Sequence, residues 1–224
     1  MVTSEELDMT FQKVGNDFGT DIKAEFAAFR DIKIRWMRTY RWAEFTVSDF
    51  LKEAPLEIIE DIARTVFSRI KGNEHDYSER TVEWLTSDGF VEINQPAYIS
   101  RDLRIGSEEG KHKSIEDSLN RLKDRKLIPE DLGKTRFFWS KGTPSGQSAW
   151  SSMLMKVITV NSELDSEDTP DDVLDLAILR QISYISSDFR TNNEDRRQAV
   201  LEAVRSYPGF DSVQEWLEEH GFSE

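Results

Sequence analysis

TPDDVLDLAILRQISYI, residues Thr169–Ile185, is the stretch from which the fold is read. Thr169 is an N-cap residue type, Pro170 suits a first helical position, and Asp171 and Asp172 favour the positive end of a helix. Val173, Leu174, Leu176, Ala177, Leu179, Ile182 and Ile185 then make the helix apolar around much of its circumference, which places it in a core. Just before it, Met153 to Val160 is rich in β-branched residues and short enough for a buried strand. The loop Lys141 to Ser148 leads into that strand. After it, the pattern predicts helices from about Glu194 to Arg205 and from about Asp211 to His220, the last stopped by Gly221.

Working outward to the first half, Ser4 ahead of Leu7, Phe11, Val14 and Phe18 predicts a capped amphipathic helix. Ile32, Ile34 and Trp36 alternate with Lys33 and Arg35, and a similar run continues through Trp42, Glu44 and Thr46, so two strands are expected. Pro55 opens a helix with Leu56, Ile59, Ile62, Ala63, Val66, Phe67 and Ile70 on one face and Gly72 past its end. Tyr77 to Leu85 reads as a shorter helix, Asp88-Gly89 as a turn, Ser114 as the cap of a helix carrying Ile115, Leu119 and Leu122, and Arg136 to Ser140 as a short strand. No internal repeat is visible. The expectation is a single domain over 1–224 of the α+β class, a small twisted sheet packed on core helices.

Composition limits the functions. The chain has 224 residues and a formal charge of -14, which repels polyanions at long range and disfavours non-specific nucleic-acid binding by the whole surface. It contains no cysteine, which removes disulfides, thiolate nucleophiles and cysteine-bearing zinc sites and fits a reducing compartment. No apolar run is long enough to span a membrane and Met1 to Asp8 is acidic, so no membrane partner and a cytoplasmic location are expected.

The order of elements, with the stretches Ile34 to Ala63, Gly146 to Asp165 and Thr169 to Ile185, resembles zincin-type metallopeptidases, in particular a mostly archaeal group of SprT-like or metal-dependent-hydrolase-like proteins. Those proteins carry an HExxH motif on the helix that corresponds to Thr169–Ile185. The resemblance places Arg180 at the first zinc histidine, Gln181 at the general-base glutamate and Tyr184 at the second histidine. SYPGFDSVQEWL (Ser206 to Leu217) sets a register that puts the third ligand near Arg196. All four positions depart from the motif. A guanidinium offers a metal no lone pair and repels it, glutamine cannot accept the proton of a metal-bound water, and tyrosine ligates only as a costly phenolate. The resemblance therefore implies a pseudoenzyme: a zincin-like fold, no catalytic residue, no metal or other cofactor, and a cleft kept for an unknown protein or peptide partner. At its floor Arg180, Gln181, Tyr184 and Arg196 form a candidate pocket for an anion or a peptide carboxylate, the arginines supplying the charge, or else are ordinary fillers of a disused pocket.

Two alternatives stay open at the level of sequence. An active hydrolase needs an unorthodox ligand set, such as Asp188, Glu194 or Asp195 with a histidine. His75, His112 and His220 are the only histidines, and they lie far apart. A nucleic-acid partner would use the locally basic segment Arg30 to Trp42, where Arg35, Arg38 and Arg41 interleave with Trp36, Tyr40 and Trp42. The competing reading is a hairpin whose aromatics face the core. The carboxylates from Asp165 to Asp172 lack the spacing of a calcium loop and read as a solvated helix cap.

Overall fold

The computed structural model describes residues 1–39, 41–73, 75–142 and 146–222, and within them the chain is α+β, with eight α-helices and two three-stranded sheets. Its contacts divide into two compact units, Met1–Phe90 and Val91–Glu224. Among the described residues no helix is long and apolar enough to cross a membrane.

In the first unit, α1 (Ser4–Asp17) begins one residue earlier than the Ser4 cap suggested. Thr3 is the cap, its hydroxyl accepting from the Glu6 amide at 3.1 Å while Glu6 accepts from the Thr3 amide at 2.9 Å. Leu7, Phe11 and Val14 are wholly buried, each such side chain contributing about 1.5–3 kcal/mol by leaving water. The helix closes directly onto β1 (Asp21–Ala27), a strand that the sequence reading missed although DIKAEFA alternates in period two. That approach requires Gly15, because a Cβ there would lie 2.3 Å from Ile22 Cδ1. β2 (Ile34–Arg38) and β3 (Trp42–Ser48) follow as expected, with β3 central: it runs parallel to β1 and antiparallel to β2. After a 3₁₀ turn (Asp49–Leu51), α2 (Leu56–Ile70) buries Ile59, Ile62, Ala63 and Phe67 of the expected face; Val66 and Ile70 are half-buried, Leu56 at the first turn is exposed, and Ile58 is buried in addition. α3 (Glu79–Leu85) completes the unit, capped by the Ser78 hydroxyl.

Asp88-Gly89 is not a turn. It forms the first turn of α4 (Asp88–Arg101), where the backbone amides have no intrahelical partner and a glycine costs little. In the second unit come α5 (Ile115–Asp124), β4 (Arg136–Trp139), β5 (Ala149–Ser152), β6 (Val157–Val160), a 3₁₀ turn (Ser162–Leu164), α6 (Asp171–Ser186), α7 (Asn193–Arg205) and α8 (Phe210–Glu219). The single strand expected over Met153 to Val160 is shorter: residues 153–156 turn between β5 and β6, and Lys156 takes a positive φ of 51°. Thr169 makes no side-chain cap, and Pro170 occupies the cap position of α6. α6 lies in the core as predicted, with Leu174, Leu176, Ala177 and Ile178 wholly buried.

The expectation of no repeat is corrected by topology. β6 is central, parallel to β4 and antiparallel to β5, so both units run helix, three strands, 3₁₀ turn, helix, with sheet orders β1-β3-β2 and β4-β6-β5. Thr46-Val47, Leu51, Pro55 and Ile58-Ile59 of the first recur as Thr159-Val160, Leu164, Pro170 and Val173-Leu174 of the second. Five residues after each proline stands a carboxylate, Glu60 or Asp175, that accepts from a cation on the preceding helix of its own unit. Lys13 reaches Glu60 at 2.7 Å, and Arg121 reaches Asp175 at 2.6 Å.

The acidic run before α6 is more than a solvated cap. Asp165 accepts from three successive backbone amides, those of Lys111, His112 and Lys113, at 2.7–2.9 Å. Burial alone would raise the Asp165 carboxyl, but these amides outweigh it and hold the group below its ordinary value of 3.8. A lowered folded pKa gives stability that is fully present above the unfolded value and is lost as pH falls through the folded one. Asp165→Asn is therefore expected to destabilise the chain at neutral pH, with the gap from wild type closing below about pH 4. Urea midpoints measured from pH 7 down to pH 3 check this.

Candidate functional site

The four positions that the resemblance singles out lie on or beside the C-terminal half of α6. Arg180 donates to Gln214 Oε1 of α8 at 3.0 Å. Gln181 faces the edge strand β5: its Oε1 accepts from Ser151 Oγ at 2.8 Å and its Nε2 donates to the Ala149 carbonyl at 3.1 Å. This amide uses both of its ends to fasten α6 to β5, a role a carboxylate could not fill because it has no donor.

Tyr184 is 37% exposed, and the Arg196 guanidinium lies over its ring at 5.4 Å. Positions 184 and 196 are thus neighbours in space although twelve residues apart in sequence. Arg196 itself is only 7% exposed, and its donors go to the loop between α6 and α7. Nε meets Ser187 Oγ at 2.9 Å, while NH2 meets the carbonyls of Asp188, Phe189 and Thr191 at 2.8–3.1 Å. So the guanidinium is a staple for residues 187–191 and not an open anion receptor. Nothing in the sequence signalled the carbonyls that hold Arg196.

The residues present do not fit a zinc ion. Arginine has no lone pair to offer, and among the described residues no three His, Cys, Asp or Glu side chains gather as a ligand group. The substitutes considered for an unorthodox set are engaged locally: Asp188 accepts from the Arg190 amide, Asp195 from Asn192 Nδ2 and Glu194 from Gln198 Nε2.

A buried ionic cluster on the first turns of α6 went unpredicted, because its members come from three segments, α5, α6 and the connection between α7 and α8. Asp175 is fully buried and accepts from Arg121 NH2 at 2.6 Å, from Ser118 Oγ and from Tyr207 OH at 3.2 Å. The one Tyr207 hydroxyl proton is shared between Asp175 and the nearer Asp172, at 2.6 Å, and the oxygen accepts from Arg125 NH1 at 2.6 Å. Burial, and then donation to Asp172, push the Tyr207 phenol far above its ordinary value. Perturbed groups of this kind can mark active sites. The Arg121–Asp175 pair has a counterpart in the first unit, where Lys13 and Glu60 join the corresponding two helices, so this pair belongs to the repeated topology.

The basic segment of the first unit does not form one patch. By the register of the sheet, Trp36 and Arg38 stand opposite Phe45 and Ala43, on the face that packs against the helices. Arg35 stands opposite Thr46 on the other face, the face that Trp42 also joins. Arg35 and Lys33 both lie over the Phe29 ring at 5.1 Å. Arg41 is exposed between the strands, and Tyr40 lies outside the described residues. Four side chains that are close in sequence, Arg35, Trp36, Arg38 and Trp42, are thereby divided between two surfaces.

No family model matches the chain, and neither the curated proteins nor the solved structures yield a match.

Proposed function

We propose that the chain is a non-catalytic protein of zincin-like, SprT-like type, whose α6 face serves a protein or peptide partner as a binding or scaffolding surface. One observation carries this reading: Tyr184 and Arg196, assigned by the resemblance to the second and third metal ligands, stack on each other at 5.4 Å. Two positions twelve apart in sequence are in contact, as two ligands of one metal would be, and each holds a side chain unfit to bind it. Gln181 supports the same reading, since its hydrogen bonds to β5 leave neither end of the amide turned to a substrate. A cytoplasmic location belongs with this proposal and is favoured by the absence of cysteine.

The test is elemental analysis of protein purified without an affinity tag or chelator. Less than about a tenth of an equivalent of zinc, manganese, iron or nickel is expected. Close to one equivalent overturns the reading and makes an unorthodox hydrolase the better account.

A further inference from the structure

The first unit contains a groove at the topological counterpart of the α6 site, and it differs from that site in being open. In the second unit the edge strand β5 places Ser151 opposite Ile158, and Gln181 bridges Ser151 to α6. In the first unit the residue in that register is Trp36, opposite Phe45 on the edge strand β2. Counting from the proline of each helix, Val66 stands where Gln181 does. Valine cannot make the bridge. Between β2 and the end of α2 lies a cavity of about 740 Å³, large enough for a small organic ligand.

Its lining is of two kinds. Phe18, Phe45 and Phe67 form a continuous aromatic floor, with ring centroids 5.3 Å apart between Phe18 and Phe67 and 5.1 Å apart between Phe45 and Phe67. Trp36 forms a wall and remains 45% exposed, a large apolar surface left uncovered at the mouth of a cavity. Arg38 and Lys71 supply the charge. The Arg38 guanidinium sits 5.5 Å above the Trp36 ring and, among the described residues, otherwise makes a long 3.5 Å contact to the Ile70 carbonyl. Among the described residues neither cation forms an ion pair, and the cavity lining includes no carboxylate. A pocket whose described lining carries two cations and no acid favours a negatively charged ligand.

We propose that this groove binds a small aromatic anion, its ring against Trp36 and the phenylalanine floor and its carboxylate, sulfonate or phosphate held by Arg38 and Lys71. Planar aromatic ligands match both the flat walls and the face of Trp36, while the arginine fork suits a carboxylate or phosphate in two-point contact. The site is independent of the α6 reading, because none of its residues belongs to that helix.

The test uses the full chain and two dyes, 8-anilinonaphthalene-1-sulfonate and its uncharged parent N-phenyl-1-naphthylamine, titrated by fluorescence in wild type and in three variants. We expect saturable one-to-one binding of the sulfonate at micromolar concentration. Arg38→Gln/Lys71→Gln should weaken the sulfonate by about tenfold or more while changing the uncharged dye little. Trp36→Ala should weaken both, and Arg35→Gln, on the opposite face, neither. All the substituted side chains are exposed or at the rim, so folding is expected to survive, and circular dichroism verifies it. No binding of the sulfonate at millimolar concentration overturns the proposal, as does binding that Arg38→Gln/Lys71→Gln leaves unchanged.

Discussion

Arg121→Met is expected to destabilise the second unit by about 3–5 kcal/mol, because it strips the charged partner from a carboxylate with no exposed surface. Asp175 has already given up its hydration, and Arg121 returns hydrogen bonds from both Nε and NH2. Ser118 and Tyr207 contribute neutral donors that do not balance the charge. Restoring neutrality should recover most of the loss: Arg121→Met/Asp175→Leu is expected to lie within about 2 kcal/mol of wild type, since apolar replacement of a whole buried pair is often close to neutral. Hydrogen exchange of α6 amides in mild urea reads the effect within the second unit and does not require the chain to unfold in one step. A loss below about 1 kcal/mol would mean that the pair behaves like a surface ion pair. The first unit's version is weaker by construction: Lys13 and Glu60 are partly exposed, at 64% and 27%, and water screens them.

Legibility in the sequence followed the range of the interactions. Helices α2 and α6 were readable because their apolar spacing is a local property, and so were β2, β3 and β4. β5 was not, since Ala149–Ser152 is four residues of weak strand preference held in place by pairing with β6. The repeat was hidden by a two-residue difference in connection length: Val47 to Pro55 spans eight positions and Val160 to Pro170 spans ten. At the candidate site, a spacing of four puts Arg180 and Tyr184 on one side of α6, while Gln181, one residue on from Arg180, turns to β5. Their partners Gln214, Ser151 and Arg196 come from other elements, and no periodicity announces them. The alternation of β2 did contain the division of the basic segment, because a period of two puts Arg35 and Trp36 on opposite faces whatever their neighbours are.

If α6 retains the geometry of a zinc helix, ligands restored at the assigned positions should bind zinc, and the gain should be large. Arg180→His/Tyr184→His places two imidazoles four residues apart on one face, a two-ligand site. Adding Arg196→His brings a third ligand from the residue now stacked on position 184, and the affinity is expected to rise by at least about tenfold, or about 1.4 kcal/mol. The third substitution also removes the staple of residues 187–191, at a cost of about 1–3 kcal/mol in the absence of metal. Zinc binding should repay part of this, so thermal unfolding of the triple variant should move upward when zinc is added while that of wild type stays still.

The measurement that bears most directly on the reading of α6 is a competitive zinc titration of wild type, the double variant and the triple variant side by side. The expected result is no stoichiometric binding by wild type at micromolar zinc, weak binding by the double variant and binding by the triple variant at least about tenfold tighter. One equivalent bound by wild type, or a triple variant no tighter than the double, would contradict the account, the first by revealing a working metal site and the second by showing that position 196 is not aimed where a third ligand must be.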